Sequence, residues 1–159
     1  MDDLNQPRHH VVVRDVAWSH ELLRRGTFDR ASDPSITFDA KHGVWLAASL
    51  AVVESGGPHD VAVVVNRSTN GLVWSRPVTV VRSTQLDKDW IVCDNHPTSA
   101  FFGRCYVQFD DVSQGARLKM STSTDGGLSW GAALNMGDSA SGLGGQPVVV
   151  PNGTVSFRT

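Results

Sequence analysis

Apolar positions along the chain fall into short runs broken by turn residues, a pattern of strands rather than helices. Ile36 and Phe38 alternate with polar neighbours. Val44-Trp-Leu-Ala-Ala48 and the run from Val61 to Val65 are continuously apolar, as strands covered on both faces are. The breaks carry turn chemistry: Lys41-His-Gly43, Glu54-Ser-Gly-Gly-Pro58, Asn70-Gly71, Asp125-Gly-Gly127 and Asn152-Gly153. The pattern predicts strands at 34–39, 44–50, 61–67 and 74–81, then at 89–93, 104–109, 116–122 and 130–135. One short helical pattern covers 19–25 and stops at Gly26.

The two groups of strands repeat. Trp18, Trp74 and Trp130 are evenly spaced along the chain, each followed by a small residue, Ser19, Ser75 or Gly131. The segments opening at Asp33 and Asp87 are separated by nearly the same interval, and so are the matching runs Val61 to Asn66 and Ala116 to Ser121. A recurring supersecondary unit buries its face against its neighbours. Four antiparallel strands per unit predict an all-β fold made of β-propeller blades. A seven-stranded sandwich would leave the tryptophan period unexplained. On this reading 1–24 is the tail of a preceding blade, 33–80 is one blade, 87–136 the next and 145–159 the start of another. Gly142-Leu-Gly-Gly145 reads as a linker between blades, because it opens no helix that could cradle a phosphate. The stretch from Thr154 to Thr159 stops in mid-pattern, so the chain reads as a piece of a longer, incomplete propeller.

Composition narrows the function classes. Of 159 residues 40% are apolar and 19% charged, ordinary for a globular domain. A net charge of −2 argues against a nucleic-acid surface. No apolar run approaches the roughly 18–20 residues of a membrane-spanning helix. The acidic N-terminus lacks the features of a secretory signal. Cys93 and Cys105 sit in two neighbouring β-prone runs. Paired in a hairpin they would form a disulfide contributing on the order of 3 kcal/mol. That would imply an oxidising, extracellular setting. Two buried free thiols remain the alternative. With His96 these cysteines match no standard zinc spacing, so no metal and no cofactor are expected. His9-His10 reads as a solvated pair. Asn66-Arg-Ser68 and Asn152-Gly-Thr154 are formal glycosylation acceptors.

The segment Ser123-Thr-Asp125-Gly-Gly127-Leu-Ser129-Trp130 resembles the Asp-box, or bacterial neuraminidase repeat, of pattern Ser-x-Asp-x-Gly-x-Thr-Trp. Asn66-Arg-Ser-Thr-Asn-Gly-Leu-Val-Trp-Ser75 resembles a degenerate copy that keeps Gly71 and Trp74, with Thr69 in the place of the aspartate. Arg14-Asp-Val-Ala-Trp18 keeps little beyond its tryptophan. The chain thereby resembles sialidase-like six-bladed propellers. The resemblance implies structural roles for Ser123, Asp125, Gly127, Ser129 and Trp130. Asp125 would accept backbone N–H groups, Gly127 would take a positive φ, and Trp130 would bury its ring at the fourth strand. It also places the turn between the third and fourth strands, on the face opposite the substrate cleft.

Family chemistry would need an arginine cluster for a sugar carboxylate, a tyrosine–glutamate pair and an aspartic acid. The family's Arg-Ile-Pro motif is absent. The only tyrosine, Tyr106, reads as packing within a blade, and the only glutamates, Glu21 and Glu54, as exposed. No catalytic residue carries over. Asp94, Asp110 and Asp111 stand at strand ends, where carboxylates can converge for glycoside hydrolysis or serve as solvated turn acids. Asp94 and Arg104 are the candidates for facing a cleft. The resemblance implies the blade-forming portion of a sialidase-like glycoside hydrolase, inactive alone, whose partners are glycoconjugates and the remaining blades. A non-catalytic propeller that binds glycan or protein through its loops is the alternative.

Overall fold

The computed structural model describes residues 28–54, 60–137 and 140–158. The predicted 1–24 tail, with the 19–25 helix, Trp18, Glu21 and the His9-His10 pair, lies outside them. The described fold is all-β, with no α-helix among the described residues. β1 (Arg30–Asp39), β2 (Val44–Val53), β3 (Asp60–Ser68) and β4 (Val78–Ser83) form one antiparallel sheet in chain order. β5 (Leu86–Cys93), β6 (Cys105–Asp111), β7 (Arg117–Ser123) and β8 (Leu134–Asn135) form a second sheet of the same order. β9 (Gln146–Val149) and β10 (Val155–Arg158) make a separate hairpin.

The continuous apolar runs behave as their pattern requires. All of β2 except Trp45 and Val53 is buried. Leu46, Val63 and Val65 of the first sheet share a core with Ile91, Val107 and Phe109 of the second. Each such side chain contributes on the order of 1.5–3 kcal/mol by leaving water. The first strands are neighbours: β5 packs on β1 and β2, and β9 packs on β5. Ala51, Ala62 and Val64 form a smaller cluster with Phe28.

Each first strand begins with the same kink. Asp33 (φ 50°), Lys88 (φ 45°) and Gly144 (φ 77°) take left-handed backbone at nearly equal intervals along the chain. At the first two the ladder shifts register, between Ser32 and Ser35 and between Asp87 and Asp89. A left-handed conformation costs a residue with a β-carbon about 1–2 kcal/mol, so surrounding structure holds it there.

The fourth strands start later than the pattern predicts. β4 begins at Val78 and β8 at Leu134, so Trp74 and Trp130 precede them. Pro77 has no N–H for a ladder and delays β4. The chain is nonetheless held beside the third strand by two equivalent bonds in each sheet. Ser75 N–H donates to Arg67 O at 2.8 Å, and Gly131 N–H donates to Thr122 O at 2.9 Å. The Asn66 amide donates to Ser75 O at 2.8 Å, and the Ser121 hydroxyl to Gly131 O at 2.6 Å. Cys93 and Cys105 face each other across the β5–β6 ladder and are joined at an S–S distance of 2.07 Å.

Candidate functional site

In both meanders the connections after the first and third strands emerge at one end. Two turns dominate it. In residues 123–130 the Ser123 hydroxyl donates to Asp125 Oδ1 at 2.8 Å and accepts Gly127 N–H at 2.9 Å. Asp125 Oδ1 also accepts Leu128 N–H at 2.9 Å and Ser129 N–H at 3.0 Å, and Oδ2 accepts the Ser129 hydroxyl. Partial burial raises the Asp125 pKa, but the Ser129, Ser123 and Leu128 hydrogen bonds outweigh it and hold the carboxyl at about 2. Trp130 packs its ring against the core between the sheets.

Residues 68–74 build the same device with one residue fewer. The Ser68 hydroxyl donates to Asn70 Oδ1 at 3.1 Å and accepts Gly71 N–H at 2.9 Å. Asn70 Oδ1 accepts Leu72 and Val73 N–H, each at 2.9 Å. Asn70, not Thr69, therefore stands in the place of Asp125. Alignment on the tryptophans puts Thr69 there because it spreads the missing residue over the wrong side of the turn. Ser68 to Ser123 and Asn70 to Asp125 span one and the same interval, whereas Trp74 to Trp130 is longer by a single position.

The second turn is wedged against the first sheet. Arg67 Nε donates to Gly126 O. A β-carbon on Gly127, whose φ is 78°, would lie 2.8 Å from a Leu46 methyl. At Gly71, φ 71°, the nearest atoms would be those of Trp45, at 3.8 Å.

Asp94 and Arg104 belong to this same end. Asp94 is fully buried and accepts the Ser99 hydroxyl at 2.5 Å and His96 N–H at 3.0 Å. It thus fixes its own loop, as Asp39, its counterpart in the first sheet, fixes the β1–β2 turn through Lys41 and His42 N–H. Arg104 lies over the Phe101 ring, 4.6 Å from its centre. Tyr106 is buried in β6, and burial raises its pKa. Glu54 pairs with Arg30 at 3.0 Å.

The opposite end carries a group of acids that the pattern did not single out as a set. Lys88 Nζ reaches Asp33 Oδ1 at 3.6 Å, linking β5 to β1. Asp89, 1% exposed, accepts the Ser35 hydroxyl at 3.4 Å through Oδ2, and its Oδ1 has no hydrogen-bond partner among the described residues. Burial, then the nearby Asp33 charge, push its carboxyl well above the ordinary range. Asp110 is fully buried and accepts Gly144 N–H and the Gln108 amide, both at 2.7 Å. Burial still raises its pKa. Asp111 differs. Burial opposes its ionisation, but Ser113 and Lys119 prevail and lower its pKa. Buried Asp89 thus lies beside the Lys88–Asp33 pair, and its raised pKa favours the protonated carboxyl at this end. The signal available in the sequence was the matching Asp33 and Asp87-Lys-Asp89 segments at the kinked strand starts.

Asn66 is buried with its amide committed to Ser75 O, which leaves Asn152 as the exposed acceptor pattern. No helix among the described residues is long and apolar enough to cross a membrane. Comparison with protein-family models and with curated proteins yields no match.

Proposed function

We propose that the chain forms successive blades of a sialidase-like Asp-box propeller acting on glycoconjugates, with its own piece inactive alone. The observation that carries this reading is the pair of equivalent Ser–Asx turns, each joining the third and fourth strands of a meander. The packing of β5 on β1 and of β9 on β5 supports inner strands arranged side by side, as blades require. In such a propeller the chemistry belongs at the end away from the turns, where Asp33, Lys88 and Asp89 gather. The Cys93–Cys105 bond supports an oxidising, extracellular setting.

One observation favours the second reading, a non-catalytic propeller that binds glycan or protein. Tyr106 is buried, and Arg30, Arg67, Arg82 and Arg104 are engaged by Glu54, Gly126, Asp60 and Phe101 rather than converging on a carboxylate site. Release of a fluorogenic sialoside by full-length protein containing this segment decides between them. Turnover supports the hydrolase, and no turnover at high protein concentration supports the binder.

A further inference from the structure

The Cys93–Cys105 disulfide abuts a carboxylate from the neighbouring sheet. Asp39 ends β1 and is fully buried, and its Oδ2 lies 3.5 Å from the Cys105 sulfur. A bonded sulfur has no proton to donate, so this contact is a bare approach while the disulfide is intact. An Asp39 carboxylate oxygen and both sulfurs lie within 4.8 Å of one another. His42 Nδ1 sits 2.6 Å from Asp39 Oδ2, and the imidazole is 26% exposed. Asp39 Oδ1 is held by Lys41 and His42 N–H at 3.0 and 3.2 Å.

We propose that reduction of this disulfide opens a site for a thiophilic divalent cation of the zinc type, made by Cys93, Cys105 and Asp39, with His42 orienting the carboxylate. A phosphine reductant supplies the electron pair and leaves as its oxide, taking oxygen from water. The S–S bond breaks and each sulfur takes one of that water's protons. Cation binding then releases both protons as the thiols become thiolate ligands. Zinc holds thiolate sulfur at about 2.3 Å and carboxylate oxygen at about 2.0–2.2 Å, so the gathered donors need local side-chain rotation rather than movement of strands. Three protein donors leave the fourth tetrahedral position to water. The imidazole on the carboxylate follows the usual outer-shell arrangement of such sites.

The two states fasten different things. The disulfide closes a hairpin within the second sheet, whereas the cation joins β1 of the first sheet to β5 and β6 of the second. Zinc should therefore raise the melting temperature of the reduced protein and leave that of the oxidised protein unchanged.

The test is a titration of phosphine-reduced, oxygen-free protein with cobalt(II), read by thiolate-to-cobalt charge-transfer absorption. One equivalent should saturate the band, zinc should bleach it, and the oxidised protein should show none. Asp39→Asn keeps an acceptor for the Lys41 and His42 N–H groups but weakens the cation ligand. His42→Ala removes only the orienting ring. Each should weaken binding ~10–100-fold with the band retained. No band in reduced protein that keeps its far-ultraviolet β signal would overturn the proposal, as would affinity unchanged in both variants. If reduction abolishes the β signal, zinc should restore it, and failure to do so would overturn the proposal too.

Discussion

The turns at 68–74 and 123–130 close the same connection, one with an amide and the other with a carboxylate. In both, a serine hydroxyl and one Asx oxygen gather the backbone N–H groups. The second oxygen separates them. Asp125 Oδ2 receives the Ser129 hydroxyl, whereas Val73 occupies the corresponding place and offers no side-chain donor. A neutral amide suits the turn whose second partner is apolar, and an anion suits the turn whose second partner is a hydroxyl. Charge-assisted bonds are roughly twice as strong as neutral ones, so the 123–130 turn is the firmer of the two. It is also the turn that touches the other sheet, through Arg67 and Leu46.

The largest expected contrast lies at the glycines. Gly127→Ala forces a β-carbon against Leu46 in left-handed backbone and should cost about 2–4 kcal/mol. Gly71→Ala has room beside Trp45 and should cost only the conformational part, about 1–2 kcal/mol. Urea denaturation of both variants measures the difference. Equal losses would mean that the second turn is not wedged.

Next come the acids. Asp125 has a folded pKa of about 2 against the usual 3.8, so its carboxylate stabilises the fold above pH 3.8 and loses that effect as pH falls toward 2. The linkage amounts to at most about 2 kcal/mol, reduced by solvent screening at this partly exposed turn. Asp125→Asn should flatten this acid limb, measured as stability against pH. Asp89 works in the other sense. Its folded pKa is raised, so stability is greatest below the unfolded value of 3.8 and falls as pH rises from there to the folded pKa. Asp89→Asn should remove that decline and leave the Asp125 limb intact. The smallest effect is expected at the exposed tips. Leu72→Ser and Leu128→Ser, at 83% and 60% exposure, should each change stability by less than about 0.5 kcal/mol.

Much of this arrangement was legible in the chain. The continuous apolar runs marked β2 and β3, and the Ser-x-Asp pattern marked the second turn. At the first turn the sequence points to Thr69 and the structure to Asn70, because a large ring is a conspicuous marker and a one-residue deletion is silent. Trp74 and Trp130 looked like strand residues because a bulky apolar ring fits a strand, but Pro77 and side-chain bonds to Ser75 and Gly131 postpone the ladder. Asp94 is a candidate for facing a cleft because a carboxylate at a strand end looks available. Its loop folds over it and consumes both oxygens. The acid group around Lys88 depended on backbone kinks at Asp33 and Lys88, which residue type alone does not reveal.

The direct test of the claim that the two turns are one repeated device is carbon-detected NMR titration of the side-chain carboxyls in the Asn70→Asp protein. The new carboxyl, collecting the Leu72 and Val73 N–H groups, should titrate below the ordinary value of about 3.9, and adding Val73→Ser should lower it further toward Asp125. A carboxyl at 70 that titrates at the ordinary value, indifferent to a hydroxyl at 73, would contradict it.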